Sequence, residues 1–107
     1  MNSSDAVTVL TALAQSHRLA AFRALVQAGP AGLTVGQLRE ALGVAPATLT
    51  AHLNTLRHAA LVNDTCEGRS IRVRADFERM NGLLAYLTEN CCGGALCAPA
   101  AVPNTCG

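Results

Sequence analysis

Four of the five cysteines of this chain lie within its last seventeen residues, in the run NCCGGALCAPAAVPNTCG. Cys91 and Cys92 are adjacent, and the glycines at positions 93 and 94 give the backbone the freedom to bring Cys97 back towards them. Thiolates are soft ligands that favour soft ions over magnesium or calcium. We therefore predict a metal or metalloid site in which Cys91, Cys92 and Cys97 surround one ion.

The residues by themselves leave the identity of the bound ion open. Trivalent arsenic takes three sulfur ligands in a pyramid, and antimony(III) behaves similarly, so Cys91, Cys92 and Cys97 would suffice for either. Zinc in a structural site takes four ligands, and Cys106 is the candidate for the fourth. Exposed thiols also oxidise readily, so redox sensing through Cys91 and a partner thiol is a further interpretation.

The cellular compartment bears on this choice. The N-terminal run MNSSDAVTV has no charged leader, and no apolar run approaches the length that spans a bilayer. These features predict a cytoplasmic protein with no membrane partner, and cytoplasmic thiols stay reduced. Metal binding or redox sensing is therefore favoured over structural disulfides, for which five cysteines is also an odd number.

The length and composition predict one small domain with a thin core. The chain has 107 residues, and half of them are apolar, yet only Phe22, Phe77 and Tyr86 are aromatic. Burial of a second apolar face between two copies would supplement such a core, so we expect a homodimer. No catalytic constellation is visible, and we predict that the protein is not an enzyme.

Apolar residues recur at helical spacing in five segments of the chain. Ser16 is predicted to cap the second helix, and Thr34 and Gln37 form a capping box at the start of the third. Pro46 suits the first turn of the fourth helix. The predicted helices run from about Asp5 to Gln15, His17 to Ala28, Thr34 to Gly43, Pro46 to Ala60 and Asp76 to Asn90.

The third and fourth segments together form a helix-turn-helix pattern. Leucines at positions 49, 53 and 56 give the fourth helix a buried stripe, and its opposite side carries short polar side chains. Two strands joined by a glycine-containing turn follow, with Ile71, Val73 and Ala75 predicted to face the body and the intervening arginines to face outward. This order of elements predicts a mainly helical winged helix-turn-helix fold with a β-hairpin.

Double-stranded operator DNA is the partner that this pattern predicts, although the net charge is only +1. All eight basic residues are arginine, and four of them fall between positions 57 and 74. The guanidinium group suits phosphates and guanine edges. We expect the fourth helix to enter the major groove and the hairpin arginines to meet the backbone or minor groove. The predicted DNA-binding residues are Thr48, Thr50, Ala51, His52, Asn54, Arg57, Arg69, Arg72 and Arg74.

The stretch LTAHLNTLRHAALVNDTCEGRSIRVRA resembles the recognition helix and wing of the ArsR/SmtB family of metalloregulatory repressors, and LAQSHRLAAFRALVQAG is similar to the family's first two helices. The resemblance covers roughly residues 5 to 92, and LLAYLTENCC is similar to arsenic-sensing members with cysteines on the last helix. It implies a homodimeric repressor whose first and last helices form the dimer interface. It also implies that As(III) or Sb(III) acts as the inducer and releases operator DNA. The corresponding division is a DNA-binding and dimerisation domain at 1–92 and a flexible cysteine-containing tail at 93–107.

The departures from the family pattern narrow the candidate site. Many arsenic sensors carry a Cys-x-Cys pair at the start of the third helix, where this chain has Thr34 and Gly36. Zinc sensors place histidine ligands on the last helix, and this helix contains no histidine. Only the tail cysteines then remain as ligands, and the resemblance favours arsenic at that site. The alternatives are a methylarsenite-selective repressor, a redox-sensing repressor and a zinc-stabilised interaction module.

Overall fold

The computed structural model describes residues 1–90 of the chain. The predicted ligands Cys91, Cys92, Cys97 and Cys106, and the predicted tail at 93–107, lie outside the described residues. The described part contains five α-helices, one 3₁₀ turn and three β-strands. In chain order they are α1 (Ser3–Leu13), α2 (Ser16–Ala28), the 3₁₀ turn (Gly29–Ala31), β1 (Leu33–Thr34), α3 (Val35–Leu42), α4 (Pro46–His58), β2 (Val62–Glu67), β3 (Ser70–Ala75) and α5 (Phe77–Leu87). None of these helices is long and apolar enough to cross a membrane.

The α3–turn–α4 unit forms as the sequence predicts. The backbone N–H of Gln37 donates to the Thr34 hydroxyl at 3.1 Å, and the Thr34 N–H donates to the Gln37 side-chain oxygen at 2.9 Å, which completes the capping box. Gly43 ends α3 in the left-handed conformation at φ 65°. After this turn, Pro46 occupies the first turn of α4, where its missing N–H is not needed.

A three-stranded antiparallel sheet lies beside the helices, in the order β1-β3-β2. β2 and β3 form the predicted hairpin, and Glu67 pairs with Ser70 across the two-residue turn Gly68-Arg69. Gly68 adopts φ 63° at the first turn position, where two-residue type II′ turns place glycine. The short strand β1 adds to the other edge of β3 through the pairs Leu33–Val73 and Thr34–Arg72. The sheet therefore connects the hairpin to the start of α3.

The core is aliphatic and holds α4 in place. The predicted stripe Leu49, Leu53 and Leu56 is at most 1% exposed, and Phe22 is the one aromatic side chain among the buried residues in positions 1–90. Val73 of β3 is fully buried with them. Burial of a leucine side chain stabilises the fold by about 1.5–3 kcal/mol relative to exposure, so this stripe fixes which side of α4 faces the body.

Three local predictions were wrong. Gln15 rather than Ser16 caps α2, and its side-chain oxygen accepts from the Arg18 N–H at 2.9 Å. Ile71 is 40% exposed because it lies near the turn at the tip of the hairpin, beyond the edge of the core. The last helix ends at Leu87 rather than Asn90, since Thr88 caps it and Asn90 adopts φ 56°.

Helix α5 buries one leucine and exposes two. Leu83 is buried, whereas Leu84 and Leu87 are 53% and 55% exposed. On the neighbouring helix α1, Val7 and Leu10 are 59% and 43% exposed. Both terminal helices of the described chain thus present large apolar side chains to solvent.

Candidate nucleic-acid interface

The outer side of α4 carries small hydrogen-bonding side chains. Thr48, Thr50, Ala51 and Asn54 are all exposed, opposite the leucine stripe. The Thr50 hydroxyl donates to the Pro46 carbonyl oxygen at 3.0 Å and keeps acceptor capacity towards solvent. Short side chains let a helix approach base edges in a major groove about 12 Å wide. This face of α4 therefore has the shape and chemistry of a recognition helix.

Asn54 and Arg57 are connected to each other and to the hairpin. Arg57 donates through Nη1 to Asn54 Oδ1 at 2.9 Å and through Nε to Asp64 Oδ2 at 2.7 Å. The Arg57 and Asp64 side chains are only 27% and 32% exposed. The ion pair joins α4 to β2 and fixes the position of the guanidinium group on the exposed side of the helix.

Arg72 and Arg74 are half-buried and bind the body of the protein, in contrast to the predicted outward position. Arg74 donates through Nε to the Pro30 carbonyl oxygen at 3.0 Å, and Arg72 donates through Nη1 to the Ala31 carbonyl oxygen at 3.2 Å. Arg72 also forms an ion pair with Glu67 at 3.0 Å, and Arg74 donates to the Thr65 hydroxyl. These contacts seat the hairpin on the 3₁₀ turn that follows α2.

Arg69 differs from these hairpin arginines. It is exposed at the tip of the hairpin, and no acceptor lies within hydrogen-bonding distance of it among residues 1–90. Together with Ser70 and Ile71 it lines a cleft of about 350 Å³, whose other wall is residues 34–36 at the start of α3. A guanidinium group in this position is available to a phosphate.

His52 lies at the inner edge of the α4 face. It is half-buried, and its ring centroid is 5.6 Å from that of His17 on α2. Partial burial, followed by the positive charge of Arg18 and the proximity of His17, lowers the pKa of His52 below its ordinary value. The lowered pKa favours the neutral form of the His52 ring, which lies beside His17 of α2.

Sequence reasoning missed the partners that hold the arginines. The Asp64 carboxylate and the carbonyl oxygens of Pro30 and Ala31 were not among the predicted site residues, yet they position Arg57, Arg72 and Arg74. Arg57 lies on α4 and Asp64 on β2, so neither helical nor strand periodicity predicts the contact between them. The strand β1, which brings the hairpin to the 3₁₀ turn, is only two residues long.

The predicted ion ligands Cys91, Cys92, Cys97 and Cys106 lie outside the described residues. Within residues 1–90 there is no group of three or more histidine, cysteine or acidic side chains placed to hold a metal ion. Cys66, the cysteine of the described part, is a free and exposed thiol on β2.

Comparison with known proteins identifies relatives of this chain. A family model described as a helix-turn-helix domain matches residues 13–65. HlyU from Vibrio cholerae is 32% identical, with 80% of this chain and 94% of that chain covered and a TM-score of 0.63. A structure of the same protein described as reduced is 29% identical over 85% of this chain and 93% of that chain, with a TM-score of 0.63.

Two further solved structures are similar. An ArsR-like transcriptional regulator from Rhodococcus sp. RHA1 is 28% identical over 78% of this chain and 76% of that chain, with a TM-score of 0.69. The solution structure of a homodimeric winged helix-turn-helix DNA-binding domain from Mycobacterium bovis, described as a possible ArsR-family regulator, is 26% identical over 81% of each chain, with a TM-score of 0.64. A search of curated proteins gave no match.

These similarities agree with the α3–α4 helix-turn-helix unit and the β-hairpin that follows it. The relatives from Rhodococcus and Mycobacterium bovis are described as a transcriptional regulator and a DNA-binding domain, which confirms the prediction that the protein is not an enzyme. With a relative 32% identical and matched over 94% of its own length, the chain belongs to the ArsR family of winged-helix transcriptional regulators.

Proposed function

We propose that the protein is a homodimeric repressor that binds operator DNA and dissociates when trivalent arsenic or antimony binds Cys91, Cys92 and Cys97. The observation that carries the ligand assignment is the donor set: three cysteines within seven residues, beginning four residues after the last residue of α5. Three thiolates match the preference of As(III) and Sb(III) for soft sulfur ligands. Cys106 is outside the proposed triad.

The DNA-binding part of the proposal is supported by the described residues. Thr48, Thr50, Ala51 and Asn54 face solvent on α4, and Arg69 is available at the hairpin tip. A major-groove helix with one flanking wing contacts one half-site, and a dimer contacts two. Because Asp64 and Glu67 neutralise Arg57 and Arg72, affinity should depend on simultaneous binding of both half-sites. The remaining predicted contacts lie beside this surface. Arg72 and Arg74 hold the hairpin on the 3₁₀ turn, and His52 and Arg57 lie at the edge of the α4 face.

Dimerisation is supported by the exposed apolar side chains of α1 and α5 and by the homodimeric relative from Mycobacterium bovis. We expect Leu87→Glu to produce monomers at micromolar concentration, because it places a charge on an apolar face that dimerisation would bury. Leu19→Glu on α2 is the matched control, since Leu19 is also exposed, at 45%, but lies on a different helix. Sedimentation velocity distinguishes the states; a Leu87→Glu variant that remains dimeric would place the interface elsewhere.

Coupling between ion and DNA follows from the position of the cysteines in the chain. The triad begins four residues beyond the last helix, and that helix carries the proposed dimer face. An ion that binds the low-affinity conformation better than the DNA-bound one shifts the population towards release. Coupling of about 1–3 kcal/mol corresponds to a roughly 5- to 150-fold change in operator affinity.

The experiment is a titration of the wild-type dimer on a duplex that it selects from a randomised library. Fluorescence anisotropy at fixed salt should show tight binding and a roughly 5- to 150-fold loss of affinity on addition of arsenite. Antimonite should act similarly, and methylarsenite, which needs only two thiolates, tests the methylarsenite-selective alternative. Failure to select any duplex would refute the DNA-binding proposal. Selection of a duplex whose affinity arsenite leaves unchanged would refute the inducer assignment.

A redox-sensing repressor is the second candidate, and one observation favours it. A similar structure is described as the reduced form of HlyU, and this chain carries an exposed thiol, Cys66, on the hairpin besides the tail cysteines. In that case hydrogen peroxide would release DNA and a thiol reductant would restore binding, with arsenite inactive. Zinc in the protein as purified, with a fall in thermal stability after chelation, would instead support a zinc-stabilised interaction module.

A further inference from the structure

Asn54 projects from the exposed face of α4 with its amide group oriented by Arg57. The distance from Arg57 Nη1 to Asn54 Oδ1 is 2.9 Å. A guanidinium group carries donors only, so the side of the amide that faces Arg57 has to be the oxygen. The Asn54 Nδ2 group, with its two hydrogens, therefore points away from Arg57, and it has no hydrogen-bond partner among residues 1–90.

Asp64 holds Arg57 in this position through an ion pair. Its carboxylate accepts from Arg57 Nε at 2.7 Å, which is the short distance typical of a charge-assisted hydrogen bond. Both side chains are about one third exposed or less, so solvent screens the pair only in part. Asp64 belongs to β2, and the hairpin therefore sets the orientation of a side chain on the recognition helix.

The surface that Asn54 and Arg57 present together consists of donors. Asn54 contributes Nδ2, and Arg57 contributes the guanidinium hydrogens that Asp64 and Asn54 do not use. One of the two lone pairs of the Asn54 oxygen already accepts from Arg57. In the major groove guanine shows two acceptors, N7 and O6, and no donor. Adenine shows the acceptor N7 beside the donor N6, and its usual bidentate contact with asparagine requires the asparagine oxygen.

From this geometry we propose that Asn54 and Arg57 act as one specificity-determining unit that selects guanine in the operator, with Asp64 as its positioning residue. The inference rests on the proposed DNA-binding function and adds the base that α4 prefers. The adenine N6 amino group would approach an oxygen whose electron density is already drawn towards the Arg57 cation, so its second lone pair accepts that hydrogen bond more weakly. Guanine places both of its acceptors against hydrogens.

The test compares base preferences of the full-length dimer and its variants on duplexes derived from the wild-type selected sequence. Asn54→Ala identifies the base pair that Asn54 contacts, because the base preference should disappear at that pair and stay unchanged at the others. Wild type should prefer guanine over adenine there by at least about fivefold. Arg57→Met removes the donors and frees the Asn54 oxygen, so adenine should become as good as guanine or better. Asp64→Ala should reduce the preference in the same direction.

Glu67→Ala is the matched control, since it removes an equal charge from the same hairpin but one that pairs with Arg72. It should change affinity without changing the base preference. A measurement that needs no variant is 7-deazaguanine at the identified position, which should weaken wild-type binding by removing the N7 acceptor.

Each failure has a separate meaning. If Arg57→Met and Asp64→Ala both keep the wild-type preference, or if wild type prefers adenine at the pair that Asn54 contacts, the specificity unit is refuted while the DNA-binding function stands. If wild type selects no sequence at all, the proposed function fails and this inference fails with it. Thermal unfolding of each variant, monitored by circular dichroism, separates a loss of folding from a change of preference.

Discussion

Gly32→Ala is expected to be the most destabilising single-methyl addition in the described part of the chain, at about 3–5 kcal/mol. Gly32 is buried and adopts φ 65° and ψ −160°, a region that is almost exclusive to glycine. A methyl group there overlaps the backbone carbonyl of Val73 and comes within 2.8 Å of the Arg74 Cγ atom. Since the obstacle is the backbone of the central strand β3, it cannot move without disturbing the sheet.

The matched control for this prediction is Gly29→Ala. Gly29 has nearly the same backbone conformation, φ 75° and ψ −160°, but an added methyl group meets nothing within 4 Å. It should therefore show the backbone strain alone, about 1–3 kcal/mol. Urea unfolding monitored by circular dichroism gives both free energies. Equal losses for the two variants would contradict the close-contact argument.

The same contact bears on function. Close approach of Gly32 to Val73 is what allows Arg72 and Arg74 to reach the carbonyl oxygens of the 3₁₀ turn. A displaced β3 would lose these hydrogen bonds and move the hairpin tip, with Arg69, away from α3. Gly32→Ala protein that remains folded should then bind DNA more weakly, through its altered hairpin position rather than through a lost DNA contact.

Sequence reasoning was accurate where a local pattern has one physical solution. The Thr34–Gln37 capping box, the Gly43 helix end and the leucine stripe of α4 each depend on residues within one or two turns. Alternation in β3 also correctly predicted burial of Val73 and Ala75. These elements together specify the winged helix-turn-helix order, and the fold class followed from them.

Sequence reasoning failed where contacts between residues far apart in the chain determine the structure. The two-residue strand β1 forms only because β3 offers a free edge, and no periodicity marks so short a segment. The outward position predicted for Arg72 and Arg74 overlooked the carbonyl oxygens that the 3₁₀ turn presents. Ala60 adopts φ 61°, in the left-handed region that favours glycine, and no local pattern predicts this for an alanine.

In the candidate site, too, the features set by local patterns could be predicted and those set by distant contacts could not. The exposed face of α4 could be predicted from the leucine spacing, because burying one side of a helix exposes the other. The connection of Arg57 to Asp64 and Asn54 could not, since it requires the hairpin to return to α4. The ion ligands Cys91, Cys92 and Cys97 stay a prediction from residue type and spacing.

Single replacement of Cys91, Cys92 or Cys97 with serine is expected to abolish arsenite-driven release while leaving operator affinity near the wild-type value. Serine is nearly the same size as cysteine but offers a hard hydroxyl oxygen in place of a soft thiolate, so the ion loses one of its three ligands. The expected loss is the entire response, roughly 5- to 150-fold in operator affinity. Anisotropy titrations with and without arsenite measure both quantities on each variant.

Two replacements outside the triad test whether the effect belongs to these three thiols. Cys66→Ser removes an exposed thiol from β2, and Cys106→Ser removes the remaining tail cysteine; both should keep the full response to arsenite. X-ray absorption on the arsenite-loaded protein should count three sulfur neighbours in wild type and two in Cys97→Ser. Four neighbours in wild type, or an unchanged count in Cys97→Ser, would exclude the triad. If all three triad variants lost operator binding without arsenite, the cysteines would be structural, because a sensing role requires that DNA binding survive the loss of the ion site.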